Sequence, residues 1–548
     1  MEQVTNILNI AVKKLYNLDV TVILSWPDYS FGDFSTNIAM QLAKQLNKNP
    51  KSIADEIAEE IKSAPELKSV SVAGPGFINL RVTDEILLNN IELSHTKFNS
   101  EVAHQTVVIE TNNPNPFKAM HIGHAFNAII ADTIANLLQA SGAEVHRVSY
   151  HGNVGAHVGK SMYSILRYIN GDIKKLDAIA EADRNSFMSK MYASGNSAFK
   201  DDPNANAEIA KLAEQSFLLN DPIYKQVYDI CSKWSFDQID SLVKRLGNKP
   251  VEKRYLESQA DALGVELVKQ NIGEVFIESD GAIIFPGEEY GSFNNIFVSS
   301  SGRGLYGARD IGLIQLKQND FNPNKSYIVT AEEQRDYFKG VIKASELCFP
   351  KLKGVTHNIS TGTVKLTSGK MSSRSGDVLE VSWLFVQISS ALKKSQKDSI
   401  EAIVTATIRY QFLKVKVGGD IIFDINEATS LQGNTGPYLL YSFVRASSIL
   451  RNVKTKGQIG GEFDESERRL LLKISQFNEV LNMAISELSP HLIASYLYEL
   501  TQEFNRFYEK NRVIGDNRQN QRLYLLDMYK QTLKKGLDIL GIPTVESM

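Results

Sequence analysis

Cysteine is nearly absent: 548 residues hold two, Cys231 and Cys348, far apart and in no CxxC spacing. That excludes a disulfide framework, points to a reducing compartment and leaves no thiolate set for zinc. Long apolar runs are missing as well. No stretch approaches the roughly 18 residues that a membrane span needs, so no membrane partner is expected. Glu2 follows Met1 and no signal-peptide pattern appears, so export is not expected and a cytoplasmic location is. Basic excess is also lacking. A net charge of −3 does not announce a nucleic-acid partner, although a whole-chain sum can hide a basic face such as the Lys/Arg-rich stretch 506–535. No all-carboxylate cage is visible, and no protein-held metal is expected.

What is present is the composition of a globular protein, 43% hydrophobic and 22% charged, long enough for about three domains. Residues 1–100 read as a small α+β module. Ile7, Leu8, Ala11, Val12 and Leu15 mark one helical face, and Ile53, Ile57 and Ile61 mark another. Two strands flank Gly74-Pro75-Gly76, with Phe77, Asn79 and Arg81 on the polar face. Residues 101–384 carry an α/β pattern, interrupted near 172–220 by inserted helices. Residues 385–548 read as an all-α helical bundle: Ile400, Ile403, Val404 and Ile408 begin it, and Leu492, Tyr496, Leu500 and Phe504 continue it.

The stretch 106–160 organises the middle region. Val107-Val108-Ile109 is strand chemistry, and Pro114 and Pro116 stop it. Phe126, Ile129, Ile130, Ile134, Leu137 and Leu138 then recur at helical spacing up to Gly142, before an extended run at 145–150. Strand, helix and strand in that order predict a βαβ unit and a parallel sheet of Rossmann type. The connection into the helix carries His121-Ile122-Gly123-His124. A helix N-terminus attracts phosphate, Gly123 admits a flat ligand, and two imidazoles can donate to phosphate oxygens. Surface or metal-bound histidines would fit the bare tetrapeptide equally.

Downstream, Gly369-Lys370-Met371-Ser372-Ser373-Arg374 sits in a polar, Gly-flanked stretch. Together these two motifs resemble the HIGH and KMSKS signatures of class I aminoacyl-tRNA synthetases. Their surroundings narrow the resemblance to the arginyl-tRNA synthetases: Glu110, Asn115 and Lys118 before HIGH, Tyr306-Gly-Ala-Arg309-Asp310, Gly433-Asn-Thr-Gly-Pro-Tyr438 and Phe504-Asn-Arg-Phe-Tyr508. The resemblance runs from about residue 32 to the end, with a gap near 172–220.

The resemblance implies an arginine–tRNA ligase whose substrates are L-arginine, ATP and tRNA(Arg), with Mg²⁺ riding on the ATP phosphates and the protein a monomer. His121, His124, Lys118 and Lys370 would be catalytic. Gly123, Met371, Ser372 and Ser373 would complete the ATP site. Glu110, Asn115, Tyr306, Asp310 and Gln334 would hold arginine, whose five guanidinium donors call for carboxylates. Tyr306 and Asp310 stand at i and i+4, so a helix would face them the same way. A salt bridge to Arg309 is the competing use of Asp310. The first module would touch the tRNA elbow, with Asn79 a candidate, and the last domain the anticodon.

Three positions depart from the family pattern. Asn153 stands where an Asp often follows Gly152. Gly307-Ala308 replaces the usual pair and would loosen a turn. Glu332-Glu333-Gln334 aligns two ways, so Glu333 competes for the glutamine's role. Three other readings stay open: another class I synthetase, a small nucleotidyltransferase that also uses HxGH, and a non-catalytic tRNA-binding paralogue. The first lacks room for an editing insertion or zinc thiolates, the second leaves the helical third without purpose, and intact motifs argue against the third.

Overall fold

The computed structural model describes residues 1–93, 102–367, 379–392, 399–451, 453, 457–459 and 461–548. These pack as two compact units. One is drawn from residues 1–97, 442–483 and 495–535, the other from 98–441, 484–494 and 536–548.

In the amino-terminal module, α1 (Glu2–Tyr16) buries Val4, Leu8, Ala11 and Val12 and stops at Asn17, whose φ of 54° is left-handed. β1 (Phe34–Thr36) and α2 (Ile38–Leu46) follow. α3 (Pro50–Ile61) starts with Pro at its first turn and an Asn49 side chain that accepts from Lys51 N–H, and it buries Ile53, Ile57 and Ile61. β2 (Leu67–Ala73) and β3 (Phe77–Val82) form the hairpin, in an antiparallel sheet of order β1-β3-β2. Ile78, Leu80 and Val82 are buried as their alternation predicts. Asn79 differs from expectation. It pairs in register with Ser35 and Ser71 on the central strand of the sheet and is only 5% exposed. α4 (Asp84–Leu93) closes the module.

The second unit is built on the predicted crossover: β4 (Thr106–Glu110), α5 (Ile122–Ala140) and β5 (Glu144–His151). The helix begins four residues before Phe126, where the apolar period starts, and Gly142 takes φ 91° beyond its end. α6 (Ala156–Ile169) precedes the helices inserted near 172–220, which are α7 (Lys174–Asp177), α8 (Arg184–Asp201) and α9 (Pro203–Leu218), and α10 (Pro222–Arg245) follows them; together they share a core around Met162, Ile165, Tyr228 and Trp234. β6 (Lys253–Leu256) returns to the sheet and runs into α11 (Glu257–Gln270). A small antiparallel sheet of β7 (Ile277–Ser279), β8 (Ala282–Phe285) and β9 (Asn295–Val298) precedes α12 (Tyr306–Phe321). β10 (Lys325–Ala331), α13 (Arg335–Cys348) and β11 (Thr356–Thr361) complete the main sheet.

That sheet is parallel throughout, in the order β11-β10-β4-β5-β6. Succession runs outward from β4 to β6 on one side and from β10 to β11 on the other. The switch point therefore lies between β4 and β10, whose carboxyl ends are Glu110 and Ala331, and ligands of such sheets bind there.

β12 (Val364–Leu366) pairs in parallel with β13 (Ile421–Phe423), a strand in a region whose sequence pattern shows only helices. Three residues are too short for a period, yet Ile421 and Phe423 are buried while Ile422 is exposed, the alternation of a strand. Between them lie α14 (Val381–Ala391) and α15 (Ile400–Leu413), with α16 (Ile425–Ala428) after. Arg409 of α15 is fully buried. Its guanidinium donates to Leu540 O (2.6 Å), Leu246 O (2.9 Å), Asn248 Oδ1 (2.5 Å), Asp132 Oδ2 (3.1 Å) and Thr133 Oγ1 (3.0 Å). One cation thus ties α15 and residues at the chain end to the middle of α5.

The remaining helices are α17 (Gly436–Arg451), α18 (Glu465–Ser475), α19 (Phe477–Ser486), α20 (Pro490–Lys510) and α21 (Gln519–Ile539). Within the first unit, Arg468 of α18 grips both oxygens of Asp33 (2.8 and 2.7 Å) and reaches Asp84 (2.9 Å). The amino-terminal module and α18 are thereby tied together within that unit. No helix among the described residues is long and apolar enough to cross a membrane.

Candidate active site

The chain leaving β4 is held by its own amides before it reaches α5. Asn113 Oδ1 accepts from Tyr150 N–H (2.9 Å) and Asn115 Oδ1 from Gly152 N–H (2.7 Å), so two side chains do what a further strand would. Pro114 and Pro116 make that substitution necessary, since neither offers an N–H. Phe117 then turns through φ 64° and is fully buried, its N–H donating to Ser235 Oγ (3.1 Å) and its carbonyl accepting from Ser161 (2.7 Å). Lys118 follows this pinned corner.

His121 is the N-cap of α5. Its Nδ1 accepts from His124 N–H (3.2 Å), and His124 Nδ1 accepts from His121 N–H (3.4 Å), a reciprocal capping box made of histidines. The rings stack with centroids 3.5 Å apart. Burial, then the Lys118 cation, brings His121 down to about 4. Burial, His121 and Lys118 hold His124 well below its ordinary value. Both rings are neutral donors near pH 7. A Cβ on Gly123 would meet the His121 ring at 3.1–3.2 Å, so Gly keeps the stacked pair undisturbed. Lys370, Met371, Ser372 and Ser373 lie outside the described residues. The chain that follows them does return to this spot: Ile122 N–H donates to Leu379 O and Val381 N–H to Met120 O, both at 2.9 Å.

Helices α11 and α12 supply the opposite wall. They cross at glycines: a Cβ on Gly264 would lie 1.8 Å from Ala308 O, and one on Gly312 2.2 Å from Ala260 O. Gly307 and Ala308 are therefore not a loosened turn. They form the first turn of α12, and a Cβ at Gly307 would strike the Phe297 ring at 2.8 Å. Asn153, the other departure, anchors α11: its Oδ1 accepts from Ser258 N–H (3.1 Å) and its amide reaches Tyr228 and Ser258. A neutral amide suits those partners.

A cavity of about 610 Å³ opens between the two walls, and Glu110, Asn115, Lys118, His124, Tyr306, Asp310, Glu333 and Gln334 all line it. Geometry thus gathers at the switch point eight side chains that sequence reasoning singled out or weighed. His121 does not line it but stacks on His124, and Asn79 belongs to the other unit. Glu333 and Gln334 both reach the cavity, so the two alignments remain equivalent in space. A larger cleft of about 930 Å³ shares Asn115, Lys118, Glu257 and Tyr306 with it and adds His157, Lys160, Arg303 and Arg309.

Asp310 is not paired with its neighbour. Arg309 turns to Asp261 (2.8 Å) and Glu257 (3.1 Å), while Asp310 accepts from the Tyr337 hydroxyl (2.5 Å). Burial first, with Glu110 and Glu257 adding repulsion, raises Asp310 to about 7; the Tyr337 hydrogen bond and Lys317 pull the other way. Glu110 is bound by the buried ammonium of Lys317 at 2.7 Å and by Asn113 at 2.8 Å. Burial lowers Lys118, and Glu257 partly restores it. Sequence reasoning missed Glu257, Tyr337 and Lys317. Lys317 had a usable signal, seven residues after Asp310 on the same helical face. Glu257 and Tyr337 had none, being brought in by tertiary packing.

Family models cover nearly all of the chain: Arginyl tRNA synthetase N terminal domain over residues 2–82, tRNA synthetases class I (R), catalytic domain over 85–424, and DALR anticodon binding domain over 439–548. Among curated relatives, the arginine–tRNA ligase of Fusobacterium nucleatum is 27% identical, aligned over 98% of this chain and 96% of that one. The Shewanella frigidimarina enzyme of the same name is 28% identical over 95% and 94%. In fold, the chain is similar to Thermus thermophilus arginyl-tRNA synthetase (TM-score 0.80, 22% identity, all of both chains) and to that of Plasmodium falciparum (0.79, 20% identity, 100% and 99%).

Proposed function

The chain belongs to the arginyl class I tRNA synthetases, and on that premise we propose how its residues share the work of an arginine–tRNA ligase. The enzyme joins arginine to tRNA(Arg) with ATP as energy source. The observation that carries the residue assignment is the cavity at the β4/β10 switch point, where one wall offers a buried carboxylate and the other a phosphate-binding helix terminus.

Arginine enters guanidinium first. Asp310 supplies the anion, Tyr306 covers the planar group, and Glu110 bounds the same end. Asn115 has its oxygen engaged by Gly152, so its amide N–H₂ is what it offers, which suits the substrate carboxylate. Gln334, or Glu333 beside it, meets the α-amino group. ATP lies across Gly123 with its phosphates toward the α5 terminus. Attack of the arginine carboxylate on the α-phosphorus forms the arginyl-adenylate as the bond to the α–β bridging oxygen breaks and pyrophosphate leaves; the charge spread over the equatorial oxygens is stabilised by His121, His124 and Lys118 as donors. Lys370, with Met371, Ser372 and Ser373, is assigned to the same phosphates. No covalent enzyme intermediate is needed; positioning and charge stabilisation account for the step.

The same reading has ATP arriving as its Mg²⁺ complex and the protein working as a cytoplasmic monomer. Residues 1–100, Asn79 among them, attend the tRNA elbow, and 385–548 the anticodon. Burial of Asn79 weighs against a direct contact from that side chain. The match of 439–548 to an anticodon-binding family supports the second assignment for those residues, while the catalytic-domain family extends to 424. The test is amino-acid-dependent ATP–pyrophosphate exchange across all twenty amino acids, with and without tRNA. Exchange with arginine alone is the expected result. Exchange with another amino acid, or none with arginine in the presence of tRNA, refutes it.

A further inference from the structure

The acidic pocket contains more carboxylates than a singly charged guanidinium requires, and the surplus is accounted for by cations. Arg309 occupies Glu257 and Asp261. Lys317 occupies Glu110, the two side chains being 1% and 2% exposed. Asp310 is left with the Tyr337 hydroxyl and with no cation within ion-pair distance among the described residues. The groups that face it are Glu110 from β4, Tyr150 from β5, Glu257 from α11, Tyr337 from α13, and Lys317 two turns along its own helix. Nothing in the substrate's chemistry calls for a lysine here, since a second cation near a guanidinium is repulsive unless an anion absorbs it.

We propose that Lys317 is a positioning residue that sets the charge of the arginine pocket: by pairing with Glu110 it leaves Asp310 as the single uncompensated anion. The proposal rests on the arginine-pocket assignment above. Lys317 acts through Glu110 and does not itself touch substrate. Without it, Glu110 and Asp310 become two buried carboxylates with no cation between them. Such a pair retains a proton to higher pH, because both cannot ionise together. An incoming guanidinium must then expel that proton, and arginine affinity acquires a steep pH dependence above neutrality.

The experiment measures the arginine KM and kcat in ATP–pyrophosphate exchange, with tRNA present, from about pH 6.5 to 9. Variants are Lys317→Met, Lys317→Arg, Glu110→Gln, Lys317→Met/Glu110→Gln and Asp310→Asn. Lys317→Met is expected to move the pH at which KM begins to rise upward by about one unit, a KM increase of about threefold near pH 7.5 that approaches tenfold toward about pH 6.5. Most of that increase disappears by pH 9, and kcat changes much less. Adding Glu110→Gln returns the profile to its original place, and Lys317→Arg keeps it there. Glu110→Gln alone moves it downward, which carries the test should Lys317→Met fail to fold. An unshifted profile in folded Lys317→Met, a shift that Glu110→Gln does not reverse, or no downward shift in Glu110→Gln overturns the proposal. Asp310→Asn separates the two failures. If it leaves KM unchanged, the pocket assignment itself is wrong; if it raises KM while Lys317→Met behaves as the parent, only the role of Lys317 falls.

Discussion

Acidifying the unaltered enzyme from about pH 8 to about pH 6 should raise the arginine KM roughly tenfold. Asp310 must be ionised to hold a guanidinium, and burial places its titration at about 7 in the empty pocket. Its ionised fraction falls from roughly nine-tenths at pH 8 to roughly one-tenth at pH 6, and apparent affinity falls with that fraction. The direction follows from the charge: bound arginine favours the carboxylate, so binding releases a proton below pH 7. The same shift has a stability counterpart of opposite sense. A folded-state value above the unfolded one means that Asp310 favours folding at low pH and loses that contribution as pH rises from about 4 through 7. The loss amounts to roughly 4 kcal/mol above neutrality. Asp310→Asn should therefore be the more thermostable protein at pH 8 while binding arginine far less well, a truncated charge pair typically costing about 2–5 kcal/mol. Initial rates of pyrophosphate exchange against arginine, at saturating ATP with tRNA, give the KM series; thermal melts without arginine give the second quantity. A KM that stays constant between pH 6 and 8, or a pH dependence that persists in Asp310→Asn, refutes the reasoning.

Lys118→Ala is expected to lower kcat for adenylate formation by about 10²-fold with little change in arginine KM, as loss of a transition-state donor does. Ser373→Lys, which restores the second lysine of the KMSSR stretch, should recover part of it in the double variant. Gly264→Ala should force α11 and α12 apart, since its Cβ would sit 1.8 Å from Ala308 O. Both a loss of about 1–3 kcal/mol in denaturant melts and a higher arginine KM are expected. Arg409→Met leaves buried Asp132 with Arg147 as its remaining cation and unpairs the carbonyls of Leu246 and Leu540, and should cost about 3–5 kcal/mol, read as a lower melting temperature.

The parallel sheet was legible because the β-branched run at 107–109 and the helical period from Phe126 to Leu138 each carry one unambiguous period. The HIGH-like tetrapeptide was legible as the opening of that helix, where His121 is the N-cap. The pocket's charge balance was not. Glu257 and Arg309 meet only because glycines let α11 and α12 touch, and sequence shows the glycines without showing which backbone they admit. Asn79 was misplaced for a similar reason: alternation along β3 correctly separates two faces, but says nothing of what covers the polar one. The pair Ile421 and Phe423 was too short to register as a strand.

The reciprocal histidine cap decides which tautomer each ring adopts. Both Nδ1 atoms accept backbone N–H groups, so each neutral imidazole must carry its proton on Nε2. The two rings therefore enter catalysis with their donor atoms already assigned and with no proton to gain or lose on the way. Because burial and Lys118 bring His121 to about 4, and burial, His121 and Lys118 hold His124 well below its ordinary value, that assignment survives into acid. On the proposed assignment, the histidine half of the site is insensitive to the same pH change that should weaken arginine binding at Asp310. Imidazole nitrogen chemical shifts would show the Nε2–H form throughout, while arginine affinity declines around it.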